Sequence, residues 1–310
     1  MEVNIIRSSL KVLWIDTSRI WNLDMSVWKK IAKLIVEGKI IVVDTGQFAE
    51  MIERYSGSTP LNEKSKTTLE IYRAIVDGYI ALDHVTFQSR QNKIAMEAFV
   101  KGEDKVEYSF SGLFDDLLQS LAPTFDQLNE QGLSKVGTPR AFKVLSPDIV
   151  GDWKTHRQDA RIKKQTLRLR QEQEILGMHD ALLSTMKGTD AVKKKNLVDH
   201  YLRKWKRASG NSDPNQMLEF FKSKYYKSIP YINIYSWIIS DLITGEEDPR
   251  DSDYFDAIMI SMMLPYADFM LIDGSMRNRI VDKLKLVKPK GVYDCKLITL
   301  PELGKILDSL

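Results

Sequence analysis

Thiol, imidazole and disulfide chemistry have almost no material in this sequence. Its one cysteine, Cys295, excludes an intramolecular disulfide and leaves no cysteine cluster for zinc, which fits a reducing compartment. The four histidines, at 84, 156, 179 and 200, are scattered. No G-x-S-x-G, G-x-x-x-x-G-K-[ST] or H-E-x-x-H occurs, so the serine-hydrolase, phosphate-loop and zinc-helix classes lack their usual residues. Long apolar runs are missing as well: the run near Met259 to Leu264 is far short of the about 20 residues that cross a bilayer. The first fifteen residues have neither the apolar segment nor the small-residue cleavage site of a signal peptide. The expectation is a soluble cytoplasmic protein with no membrane partner. Charge of one sign is lacking too, because 45 Lys and Arg against 42 Asp and Glu leave a net +3, too little to imply a polyanion from the total alone.

What is present suffices for a full core: 310 residues, 43% of them hydrophobic, or one or two domains at about 100 to 200 residues each. Short β-rich runs alternate with helical patterns at the start: Lys11 to Asp16, a helix around Val27 to Glu37 ended by Gly38, Ile40 to Val43, a helix over Gln47 to Tyr55, another from Lys64 to Val76, and a run at Tyr79 to Leu82. This alternation predicts an α/β fold on a mostly parallel sheet. From Ser109 to Thr244 no comparable β run occurs, only helix-length stretches broken near Gly132, Pro139, Pro147, Gly188, Gly210 and Pro214. The tail returns to α/β order, with a helix from Tyr254 to Leu264, a strand Phe269 to Ile272, a helix from Ser275, a strand Cys295 to Leu300 and a last helix opened by Pro301. The expected division is an α/β part over 1–108, a mainly helical insertion over 109–244 and the rest of the α/β part over 245–310.

The insertion is basic: residues 151 to 210 hold 15 Lys and Arg against 7 Asp and Glu. One run comprises Arg161, Lys163, Lys164, Arg168 and Arg170. The other has Lys193 to Lys195, then Arg203, Lys204, Lys206 and Arg207. With Trp153 before the first run and Trp205 inside the second, these residues fit a nucleic-acid platform, cations meeting phosphates and rings stacking on bases. The competing reading is a solvated helix face.

Three apolar runs end on an acid: Asp16, Asp44 and Asp273. In a parallel sheet their carboxyl ends share one edge, where α/β folds place active sites. Glu50 and the Asp253/Asp256 pair can join from helix starts. Clustered carboxylates repel one another unless a cation neutralises them, and without Cys or His the fitting cation is hard, Mg²⁺ or Mn²⁺. Such a site suits phosphodiester cleavage. Each acid has a structural alternative: Asp16 and Asp273 as turn residues, Glu50 as a solvent-facing acid in competition with Glu53, Asp253 as a helix cap, Asp44 as the next helix's cap. Asp268 reads as structural, Met259, Met262 and Met263 as core, His84 as a loop residue, and Arg277 and Arg279 as phosphate contacts or solvent-facing arginines.

These residues resemble the PIN-domain nuclease superfamily. The stretch VLWIDTS is similar to that family's first strand with its aspartate, here Asp16, and a polar residue two positions on, Ser18. IIVVDTGQFAEMIER resembles the second strand and the helix bearing a glutamate, here Glu50. DSDYFDAIMISMMLPYADFMLIDGSM is similar to the late helix and strand bearing the third and fourth acids, here Asp256 and Asp273, and CKLITLPELGKIL to the last strand and helix. The resemblance covers residues 10 to 60 and 250 to 310. It departs from the family pattern where Leu271 and Ile272 replace a Ser or Thr near the fourth acid.

The resemblance implies a three-layer fold around a mostly parallel sheet, and a nuclease whose Asp16, Glu50, Asp256 and Asp273 hold Mg²⁺ or Mn²⁺ and carry catalysis. It favours single-stranded RNA over DNA as partner. A toxin, a defence effector and an RNA-processing enzyme would share these features, and an inhibitor protein or a second copy of the chain are further partners it leaves open. The alternatives are a catalytically inactive module that binds nucleic acid or protein, and an interaction scaffold.

Overall fold

The computed structural model describes residues 1–47, 50–51, 62–76, 84–114, 139–187 and 195–310. In chain order its elements begin with β1 (Glu2–Ile6), β2 (Lys11–Ile15), α1 (Thr17–Ile20), α2 (Met25–Val36), β3 (Ile40–Val42), α3 (Glu63–Val76), α4 (His84–Lys101), β4 (Lys105–Ser109) and α5 (Phe110–Phe114). There follow α6 (Pro139–Ile162), α7 (Leu167–Met186), α8 (Lys195–Ser209), α9 (Pro214–Lys222), α10 (Lys224–Lys227), α11 (Pro230–Thr244) and α12 (Asp251–Met263). The chain ends with β5 (Phe269–Leu271), α13 (Gly274–Asn278), a π-helical turn (Arg279–Lys283), β6 (Lys296–Ile298) and α14 (Leu300–Ser309). These elements form two compact units: Met1–Ile6, His84–Tyr108 and Val150–Ser261 in one; Arg7–Asp83, Ser109–Ile149 and Met262–Leu310 in the other.

The second unit holds the expected parallel α/β sheet, in the order β3-β2-β5-β6 with every pairing parallel. β2 is central, and Val12, Leu13, Trp14 and Ile15 are all buried. A strand covered on both faces needs such a continuous apolar run rather than alternation. On one face Leu13, Ile15, Ile40, Val42, Leu271 and Ile298 join a core with Trp28, Ile31 and Leu34 of α2, Leu69, Tyr72 and Ile75 of α3, and Leu303, Ile306 and Leu307 of α14. Gly38 ends α2 in the left-handed region, φ 65°, which a side chain would strain. Thr299 and Glu302 start α14 with a reciprocal capping box. Met262 and Met263 are buried, as expected of core methionines.

The first unit is built of helices and the two-stranded sheet β1-β4. α11 packs on α7, and α8 on α4 and α7. An aromatic cluster joins Phe99, Tyr201, Trp205, Phe220, Phe221, Tyr225 and Tyr226. Gln91 accepts the Tyr231 backbone N–H at 3.0 Å, satisfying a donor at the start of α11.

Several details differ from the sequence-based expectation. α4 joins the helical unit because it packs on α8, α10 and α11, so residues 84–108 do not stay with the sheet. α6 continues through Pro147, and nothing in the described residues accounts for that. Of the helix expected over Gln47 to Tyr55, residues 47, 50 and 51 are described and helical. Glu53, the run Tyr79 to Leu82, Gly132, Gly188, Lys193 and Lys194 lie outside the described residues.

Candidate acidic site at the sheet's switch point

The register decides which acids meet. Leu13 pairs with Val42 and Ile15 with Leu271, so Asp44, Asp16 and Asp273 stand just past the ends of three neighbouring strands. The chain leaves β2 toward β3 on one side and leaves β5 toward β6 on the other. The crevice between the ends of β2 and β5 is therefore the topological switch point, where open α/β sheets bind ligands, and Asp16 and Asp273 flank it.

Asp16 continues the strand pairing through its N–H to the Leu271 carbonyl at 2.9 Å. Its carbonyl starts α1, accepting from Arg19 N–H at 2.8 Å, but its side chain caps nothing. The carboxylate instead accepts the Ser18 hydroxyl through Oδ2. Burial pushes the Asp16 carboxyl above the usual range, and the negative charges of Glu50 and Asp273 push it further, against the Ser18 hydrogen bond and Arg19. Glu50 is half-buried and accepts the Thr17 hydroxyl at 2.6 Å. Asp273 caps α13, its Oδ1 accepting the Met276 N–H at 2.9 Å. Asp273 thus caps a helix where the structural alternative was an Asp-Gly turn, whereas the Asp16 side chain caps nothing.

A buried hydrogen-bonded layer supports this edge. The Trp14 indole donates to Thr45 Oγ1 at 2.9 Å, Gln47 Oε1 accepts the Thr45 N–H at 2.6 Å, and Gln47 Nε2 donates to the Ile15 carbonyl at 3.2 Å. Asp44, 1% exposed, accepts the Gly46 N–H at 2.7 Å in an Asx turn. Tyr72 is fully buried, and burial together with the Asp44 and Asp16 charges holds its phenol well above the ordinary value. Among the described residues its hydroxyl has no hydrogen-bond partner of acceptable geometry. Thr17, Thr45, Gln47 and Tyr72 carry no sequence signature of their own. Only the polar run Asp44-Thr45-Gly46-Gln47 between a strand and a helix hints at such a layer.

Asp256 lies on α12, in the helical unit, and is half-buried. Asp253 in the first turn of α12 is buried and accepts the Arg250 N–H at 2.8 Å, a structural engagement. Asp268 is structural as expected: it accepts the Val12 N–H at 2.9 Å and pairs with Lys11 at 3.0 Å. Arg277 donates to the Leu297 carbonyl at 3.3 Å and Arg279 is buried, so neither is a solvent-facing arginine.

Among the described residues, no three His, Cys, Asp or Glu side chains stand within reach of a single metal ion. Asp16, Glu50 and Asp273 are electrostatic neighbours rather than a closed ligand set. Their chemistry nonetheless fits a hard divalent cation, since all donors are carboxylate oxygens and the like charges at Asp16 are the kind a cation relieves.

The basic residues all belong to the helical unit. Arg168 pairs with Glu172 at 3.4 Å and Arg170 with Glu174, each one turn along α7. Arg161 donates to the Glu246 carbonyl at 3.4 Å, beside buried Arg157, which holds the Glu246–Asp248 turn through two carbonyls and the Asp248 carboxylate at 3.0 Å. Lys163 and Lys164 are exposed after α6, and Arg203, Lys206 and Arg207 are exposed on α8. Lys204 lies over the Tyr201 ring at 5.4 Å. The expected aromatic platform is corrected: Trp205 is 0% exposed among Phe99 and Phe220, and Trp153 is buried against Tyr254, so neither ring can stack on a base.

No protein-family model, curated protein or solved structure matches this chain.

Proposed function

We propose that this chain is a divalent-metal-dependent nuclease of PIN-like, three-layer architecture that cleaves phosphodiester bonds, with single-stranded RNA favoured over DNA. The observation that carries the proposal is the shared field of Asp16, Glu50 and Asp273 at the switch point, with the Asp16 side chain withheld from helix capping. Asp16, Glu50 and Asp273 would hold Mg²⁺ or Mn²⁺. That ion, when bound, supplies activation of a water and stabilisation of charge on the leaving oxygen. Ser18 orients the Asp16 carboxylate and Thr17 that of Glu50, so the start of α1 fixes two ligands at once. The α13 cap holds Asp273 in place.

The second reading is a binding module without catalysis. Its support is that no three described acids stand within reach of one ion, together with Leu271 and Ile272 where the family's hydroxyl stands. The two readings separate on cleavage of labelled RNA and DNA with Mn²⁺, with EDTA, and by Asp16→Asn and Asp273→Asn. Metal-dependent cutting lost in both variants supports the nuclease. Equal inactivity of wild type and variants supports the module.

A further inference from the structure

We infer that the outward face of α8, carried by Arg203, Lys206 and Arg207, is the surface that binds a nucleic-acid strand, and that it grips the phosphate backbone without reading the bases. Residues three and four apart on a helix are surface neighbours, so Lys206 and Arg207 flank Arg203 about one turn along. All three are exposed, and among the described residues none has a carboxylate within ion-pairing distance. The other basic run is largely answered within the protein, by Glu172, Glu174 and the Glu246 carbonyl. Positive charge is also felt along α8: after burial, Lys204 and Arg203 hold His200 below its usual value.

The opposite face of α8 is anchored, because Trp205 packs on Phe99 and Phe220 and Tyr201 on Phe221. That anchoring decides the kind of partner. A helix that enters a lipid surface needs an exposed apolar face, and this one's is covered. A protein interface centres on well-packed, desolvated contacts, and no large apolar side chain of α8 is exposed among its described residues to form such a centre. With Trp153 and Trp205 buried, the two basic runs keep the cations of a nucleic-acid surface without the tryptophan rings that accompany them in sequence.

This inference rests on the nucleic-acid part of the proposed function and not on cleavage, so it is tested with divalent ions chelated. The full chain in EDTA is titrated with labelled single-stranded RNA homopolymers of uridine, adenosine and cytidine over a range of salt. The plot of log affinity against log salt should lose about 2 units of slope in the triple Arg203→Gln/Lys206→Gln/Arg207→Gln variant, and about 0.7 in each single variant. The loss should be equal for the three homopolymers, and Arg168→Gln/Arg170→Gln should leave the slope unchanged. An unchanged slope in the triple variant, a loss confined to one base, absence of binding by wild type, or α8-dependent binding to anionic vesicles in place of RNA would each overturn it. A chain that binds in this way but never cuts removes the nuclease reading alone.

Discussion

The Thr17 hydroxyl donates to Glu50 Oε2 at 2.6 Å, tying the residue after the β2 aspartate to the helix that follows β3. Thr17 is 3% exposed, so Thr17→Val keeps the shape and removes only the hydrogen bond. Loss of an outer partner of this kind typically lowers metal affinity or activity by about 10- to 100-fold. Titration of cleavage against Mn²⁺ should show that loss, with stability lowered by about 1 to 3 kcal/mol because the lost bond ends on a carboxylate.

Asp16 gives a pH-dependent test. Its folded carboxyl is raised above the ordinary carboxylate value, so the folded state holds more protons than the unfolded chain as pH rises through that window. Stability therefore falls with rising pH there, and the ionised Asp16 is a net cost at neutral pH. Asp16→Asn, which can still accept the Ser18 hydroxyl, should melt higher than wild type at pH 7 without added metal. The gain should vanish as pH falls below the ordinary carboxylate range. A lower melting temperature at pH 7 would contradict the strained-acid description.

Tyr72 is a second buried polar group at this edge. Its hydroxyl has no hydrogen-bond partner of acceptable geometry among the described residues, so Tyr72→Phe should leave stability unchanged or raise it. A loss of more than about 1 kcal/mol by chemical denaturation would mean that the phenol does bond Asp44.

Trp205 is a core residue of the helical unit. Trp205→Ala should cost about 3 to 5 kcal/mol, the range for truncating buried large aromatics. Trp205→Phe should cost less. At a temperature where Trp205→Leu is folded, its RNA affinity should match wild type across homopolymers, which a stacking tryptophan would not allow.

The sheet was legible because residues 12–15 of β2, Ile40–Val42 and Phe269–Leu271 are unbroken apolar runs, the pattern that burial on both faces demands. Their shared carboxyl edge followed from parallel order. Strand order did not, and so the switch point between Asp16 and Asp273 emerges only from the β2-β5 pairing. β1 was missed because it is largely half-exposed, and β4 because its alternation, with Val106 and Tyr108 buried between exposed residues, runs for only five residues. Trp205 misled because charge around a tryptophan reads the same whether the ring faces solvent or, as here, the charged residues flank a buried side of an amphipathic helix. Thr17 and Gln47 were silent because a hydrogen bond across loops needs three-dimensional proximity that no local spacing encodes.

The most direct measurement is cleavage of labelled single-stranded RNA with Mn²⁺ by wild type, Asp16→Asn and Asp273→Asn. Both substitutions keep the fold's own contacts, since Asn accepts the Ser18 hydroxyl at position 16 and caps a helix as well as Asp at position 273. The expected result is cutting by wild type that EDTA abolishes and that both folded variants lack. Cutting that persists in either variant, or no cutting by wild type at any Mn²⁺ concentration, would contradict a metal-dependent site built on these two acids.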